Sequence, residues 1–198
     1  MAKKTKKAAE AVLKADAAVA EAAEPYRESR LVNAASLLSE VGDQPPMRAV
    51  CLSTLALGLV GKSPRMVRAG ARMIVAHTLA TWAKDFVKTH VDRTRPRSKK
   101  GLNGHMPKPG RRTDKESTSF PSGHSAGAIA VAQAYAREFP EHKTAALAGA
   151  GAIALAQIPR CAHYPTDVGS GLAIGLAAEA LVDRLVDAFQ LSGDPADE

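Results

Sequence analysis

The chain has 198 residues, a formal net charge of +7 and an isoelectric point near 9.6. That length suits one domain with a buried core, and 4% aromatic residues beside abundant Ala and Gly argue against a β-sandwich and for closely packed helices. The charge leaves phosphate, anionic lipid and nucleic acid open as partners, as well as a merely solvated surface. The two cysteines, Cys51 and Cys161, make no CxxC and no metal-ligand spacing, so two buried free thiols are expected.

In chain order, a basic head (MAKKTKK) leads into an Ala-rich segment that predicts a helix over residues 5–24, ended by Pro25. No apolar stretch of about 7–15 residues follows the head, so a standard secretory signal is not expected. A second helix is expected from Tyr26 to Val41, closed by Gly42 and Pro45-Pro46. The apolar residues 48–60 predict a third, stopped by Gly61 and Pro64. Residues 65–89 predict a longer amphipathic helix with Arg65, Arg68 and Arg72 on one side. It must end near Thr94, because Pro96 cannot continue it.

Residues 97–119 read as a loop carrying Arg97, Lys99, Lys100, Lys108, Arg111, Arg112 and Lys115 against Asp114 and Glu116. A loop this long in a compact domain is functional or disordered. Helices follow from Ser122 to Phe139, over 142–158 beyond Pro140, and from Thr166 to Phe189, with a frayed tail over 190–198. No repeat and no alternating strand pattern is visible. A membrane-spanning helix needs about 20 mostly apolar residues. The uncharged run 144–159 is shorter, 117–136 contains polar residues, and 166–185 carries Asp167, Glu179, Asp183 and Arg184. Ala contributes little to insertion, so these helices suit a soluble bundle or weak spans.

Three segments carry the chemistry: KTHVDRTRP at Lys88–Pro96, PSGH at Pro121–His124 and RCAHYPTD at Arg160–Asp167. Phosphoester hydrolysis needs a nucleophile, a proton donor for the leaving oxygen, donors for the equatorial oxygens and a group that orients the nucleophile. His163 can supply an imidazole nitrogen as nucleophile. Asp167, four residues on at a helix start, can accept the other ring N–H and fix the tautomer. His124 can protonate the leaving group from a Pro-Ser-Gly turn at a helix N-terminus, where Ser122, Gly123 and backbone amides favour an anion. Lys88 offers the phosphate a point charge and Arg95 a planar fork. Each segment alone also has an ordinary reading, as a surface histidine, a helix cap or a basic helix end.

The order K-x6-RP, PSGH after 24 residues and HxxxD after a further 38 resembles the signature of the type 2 phosphatidic acid phosphatase superfamily. That superfamily also contains bacterial acid phosphatases and vanadium haloperoxidases. The resemblance covers Lys88–Asp167 and extends through its helices over 48–189, leaving residues 1–47 as a basic, Ala-rich helical extension. It implies an all-α helical bundle of about six helices with the site at one end. It also implies phosphate-binding roles for Lys88, Arg95, Ser122 and Gly123, the acid role for His124, and nucleophile and orienting roles for His163 and Asp167. Where the family has an Arg six residues before its nucleophilic His, this chain has Gln157. Arg160, three residues before His163, is expected to reach the phosphate instead. His77, His90, His105 and His142 have no matching role and read as structural or surface.

The activity implied is metal-independent hydrolysis of a phosphomonoester or pyrophosphate through a phosphohistidine. No cofactor is expected, and the substrate is expected to be a lipid or polyprenyl carrier phosphate. A soluble acid phosphatase for small phosphoesters, a vanadium-dependent haloperoxidase and a non-enzymatic phosphate- or nucleic-acid-binding protein are the alternatives. No aromatic stacking set accompanies the basic segments, so nucleic acid is not the expected partner. The expected location is the inner membrane, integral or peripheral, with the cytoplasm as the alternative.

Overall fold

The computed structural model of the chain describes residues 2–98 and 105–192. It is 75% helical. Seven α-helices are present among the described residues, one for each helix expected in chain order: α1 (Ala2–Ala23), α2 (Arg30–Ser39), α3 (Gln44–Val60), α4 (Pro64–Lys88), α5 (Gly123–Glu138), α6 (Lys143–Leu155) and α7 (Pro165–Ser192). Residues 99–104 of the expected basic loop, Lys99 and Lys100 among them, and residues 193–198 of the expected frayed tail lie outside the described residues.

Side-chain caps explain several of the boundaries. Ser29, Ser63 and Ser122 each accept a backbone N–H three residues on, from Val32, Met66 and Ser125, which satisfies one of the free donors of a helix start. Pro64 follows its cap in the first turn of α4, where a missing N–H costs nothing. The same reasoning corrects one expectation. Pro45 and Pro46 open α3 rather than close α2, and α2 is shorter than Tyr26–Val41 because one-turn 3₁₀ segments at Glu24–Tyr26 and Glu40–Gly42 flank it.

A second correction concerns the first motif. Helix α4 stops at Lys88, not near Thr94. The chain then extends as β1 (Val91–Asp92), which pairs antiparallel with β2 (Lys108–Pro109) inside the expected loop. The Arg93 and Arg95 N–H groups donate to the Ser117 and Glu116 carbonyls, and the Ser119 N–H donates to the Arg93 carbonyl. The motif is therefore a strip laced to the basic segment, and its alternating residues face opposite ways.

Helix α5 is central and packs on α3, α4, α6 and α7. Its buried face is largely alanine, and the core adds Met47, Cys51, Met73, Val131, Ala150, Ala178 and Val182. Small residues let the backbones close in. A Cβ on Gly171 of α7 would lie 2.4 Å from the Ser122 carbonyl oxygen, so only glycine permits this crossing. Both cysteines are buried and free.

The far end of the bundle is held by ions. Arg72 pairs with Glu138 at 3.1 Å and Asp183 at 2.8 Å, Arg68 with Glu138 at 2.9 Å, and Arg65 with Glu141 at 2.6 Å. Arg137 reaches Glu179 at 2.9 Å and Asp183 at 3.1 Å. These pairs join α4, α5 and α7 at the C-terminal end of α5, roughly 20 Å from its N-terminus at 1.5 Å per residue.

Candidate active site

The N-terminus of α5, the start of α7, the end of α4 and the Arg93–Arg95 strip meet at one end of the bundle. There they enclose a cavity of about 210 Å³ lined by Lys88, Arg95, Gly123, His124, Arg160 and His163, among others. Two histidines separated by 39 positions thus face one space. Ser122 and Asp167 sit just behind it, fully buried, and are joined by the Ser122 N–H donating to the Asp167 carbonyl at 3.0 Å. The Ser122 hydroxyl accepts from the Ser125 N–H and from the Ser125 hydroxyl, so it caps α5.

His163 is 3% exposed. Its Nε2 lies 3.2 Å from Arg95 Nη1. A guanidinium has only donors, so Nε2 presents its lone pair and the proton sits on Nδ1. Nδ1 faces Asp167 Oδ2 at 3.7 Å, too far for a hydrogen bond. Burial pushes the imidazole down to about 4, against the opposing effect of Asp167. A neutral ring whose Nε2 lone pair is held by a cation that a phosphate can draw away is what attack on phosphorus requires. Burial alone would raise the Asp167 carboxyl, but His163 and Arg93 hold it below the usual carboxylate range.

Arg95 is fixed on three sides. Its Nε donates to the Lys115 carbonyl at 2.7 Å, and Nη1 to the Ala162 carbonyl at 2.9 Å. Burial, then the neighbouring Arg97, lowers it to about 10. Lys88 falls to about 8, chiefly through burial and then through Lys84 and Arg95. Cations crowded in this way gain when an anion enters among them.

His124 lines the same cavity, with Nε2 3.1 Å from Asp43 Oδ1, although that nitrogen makes no hydrogen bond of good geometry. Burial lowers the ring to about 4, while Asp43 opposes the fall. A Cβ on Gly42 would lie 3.1 Å from His124 Cδ2, so the Gly42–Asp43 turn is pressed against the ring. Gln157 and Arg160 both line the cavity. The Gln157 amide donates to the Ile153 carbonyl at 3.0 Å, and Arg160 Nη1 to Ser39 Oγ at 2.6 Å.

Four residues at the site escaped the sequence reading. Lys84 lies one turn before Lys88 and lines the cavity, so its i, i+4 spacing was a usable signal. Asp43, Asp16 and Arg93 had none, because their partners are distant in sequence.

A cavity walled by cations, with one neutral histidine aimed inward and a second beside it, defines an anion-handling site of the phosphoryl-transfer kind. A model of the PAP2 superfamily matches residues 69–190, and the chain belongs to that family. Over 57 residues, 29% of the chain, it is 44% identical to the lipid A 1-phosphatases of Rhizobium etli and Rhizobium johnstonii. That stretch spans about a quarter of the length of these relatives (25% and 23%). The fold is similar to that of the first transmembrane PAP2 type phosphatidylglycerolphosphate phosphatase from Bacillus subtilis (TM-score 0.61, 20% identity, 94% of this chain and 90% of that one). It is also similar to Aquifex aeolicus LpxE (TM-score 0.58, 20% identity, 83% and 93%).

The third-motif departure has a direct test. Arg160 swung from Ser39 toward the bound phosphate would supply the cation that Gln157 lacks. Arg160→Ala is expected to lower phosphate turnover about 100-fold, the scale of one lost transition-state contact, and Gln157→Ala only severalfold. Higher activity in Gln157→Arg with unchanged activity in Arg160→Ala would relegate Arg160 to the surface.

Proposed function

We propose that the chain is a lipid phosphatase that works through a phosphohistidine without a metal. The observation that carries this reading is the shared cavity: His163, His124, Lys88, Arg95 and Arg160 all line it. In the first step the His163 Nε2 lone pair attacks phosphorus, the bond to the leaving oxygen breaks, and His124 gives that oxygen a proton. In the second, His124 takes a proton from water, the water oxygen bonds to phosphorus, and the phosphorus–nitrogen bond breaks. Lys88, Arg95, Arg160 and the amides at the α5 N-terminus hold the equatorial oxygens, and Asp167 faces the ring as it becomes positive. No group of three His, Cys, Asp or Glu side chains able to hold a metal occurs among the described residues, and every catalytic task has a side-chain candidate.

Several features support a lipid substrate. A second cavity of about 300 Å³ is apolar, lined by Val41, Met47, Val50, Val131, Tyr135 and Ile153 among others. Val41 adjoins Gly42 of the phosphate cavity, so a chain attached to the phosphate has somewhere to lie. Trp82 and Phe86, 68% and 60% exposed, stack near the site end of α4, as interfacial aromatic anchors do. No described helix is long and apolar enough to cross a membrane. The exposed aromatic pair fits association with the inner membrane, integral or peripheral, and the chain is read as an extension over 1–47 followed by a phosphatase domain over 48–189.

The test is phosphate release from prenyl, glycerolipid and soluble phosphates. Turnover of the lipid phosphates in EDTA, inhibited by vanadate as a mimic of five-coordinate phosphorus, is expected. Loss in EDTA with rescue by zinc or magnesium would overturn the mechanism. Preference for soluble esters would overturn the lipid assignment.

A further inference from the structure

The site is backed by a buried charge chain that starts outside the family match. Asp16, in α1, is 2% exposed. Its Oδ2 lies 2.7 Å from Arg93 Nη2. Its Oδ1 accepts the Thr166 N–H at 3.0 Å, and the Thr166 hydroxyl donates to Oδ2. Arg93, 1% exposed, turns its other nitrogen to Asp167 Oδ1 at 2.5 Å and to the Thr166 hydroxyl at 2.7 Å. The guanidinium also lies over the Tyr164 ring at 4.0 Å, and its Nε donates to the His105 carbonyl. One cation is thus shared by two carboxylates, and the second of them faces His163.

We infer that Asp16 is a positioning residue for phosphoryl transfer, acting through Arg93 and Thr166 on Asp167. This rests on the reading of His163 and Asp167 as nucleophile and orienting group. With Asp16 present, the three charges sum to −1, and that surplus lies where the ring turns positive as Nε2 bonds to phosphorus. Without it, Arg93 neutralises Asp167 alone and draws its carboxylate from His163, across a gap that is already 3.7 Å. Asp16 does not line the cavity, so it acts on the chemical step and not on binding. A purely structural Asp16 would be a tie between α1 and the start of α7, with no effect on each folded molecule's turnover.

The experiment compares wild type, Asp16→Asn, Asp16→Glu and Thr166→Val, with rates normalised to folded protein by circular dichroism. Asp16→Asn is expected to lower kcat about tenfold or more, as loss of a buried orienting partner does, with KM and vanadate inhibition unchanged. Asp16→Glu should restore most of the loss. Thr166→Val keeps every charge and should give a smaller fall in kcat at unchanged KM. Nitrogen NMR of the His163 ring gives a readout that needs no substrate: Asp16→Asn should shift the Nδ1–H signal as the Asp167 carboxylate is drawn away from it. A folded Asp16→Asn protein with wild-type kcat overturns the inference, as does a rise in KM alone. Should Asp16→Asn not fold, unchanged kcat in folded Thr166→Val overturns it. Should wild type turn over no phosphoester, the reading of the site has failed, and an unaltered His163 ring signal in Asp16→Asn then overturns the role of Asp16 separately.

Discussion

His163→Ala is expected to abolish turnover of every phosphoester, by about 10⁴-fold or more, the scale on which losing a covalent nucleophile acts. The expectation follows from the ring's surroundings. Burial keeps it neutral, with a value near 4, and Arg95, itself a phosphate-binding candidate, sits on Nε2, which leaves the ring proton on Nδ1 and makes Nε2 the nucleophilic nitrogen. Among the described residues, no other histidine lines the cavity with an arginine on its Nε2. His77 is buried too, but lies against Gly127 and lines a separate cavity with Arg48 and Cys51. The measurement is turnover together with trapping of labelled phosphate on the protein in acid-quenched mixtures. Label retained in His163→Ala would move the nucleophile elsewhere.

His124→Ala is expected to lower hydrolysis of alkyl phosphates by roughly 10²–10⁴-fold, the usual worth of a positioned acid, and that of nitrophenyl phosphate far less. A good leaving group departs without a proton, so the ratio between the substrates isolates proton donation. Asp43 adds a test in pH. Its carboxylate opposes the downward pull of burial on His124, so Asp43→Asn should lower the His124 value further. The acid form exists below that value and is lost as pH rises through it. The basic limb of kcat/KM for alkyl phosphates should therefore move to lower pH in Asp43→Asn. Equal losses on both substrate types in His124→Ala would contradict the acid role.

The helices were largely legible in the sequence because their ends carry local chemistry. Ser63-Pro64 and Ser122-Gly123 cap a helix within three residues of themselves, and such signals need no knowledge of the rest of the chain. Pro45-Pro46 misled because proline stops one helix and starts another by the same lack of an N–H. The two-residue strands were invisible, since a period of two cannot show in so short a run. At the site, residues grouped by spacing could be read together: Lys88 with Arg95, and His163 with Asp167. Asp16 was not, because it lies 77 positions from Arg93 and 150 from Thr166. Nothing in an Ala-rich helix with scattered Lys, Glu and Asp marks one carboxylate as the buried one.

The ion pairs at the far end of the bundle have a consequence for ionic strength. Arg65, Arg68 and Arg137 are 43–52% exposed along their side chains, so dissolved salt reaches these pairs and screens them over about 8–10 Å. Water and ions do not reach Arg93, whose side chain is 0% exposed between Asp16 and Asp167. Raising salt should therefore loosen the C-terminal end of α5 from α4 and α7, seen as faster amide exchange there, while the amides of Ser122–Ser125 stay protected. The α5 helix would then fray from the end remote from the chemistry.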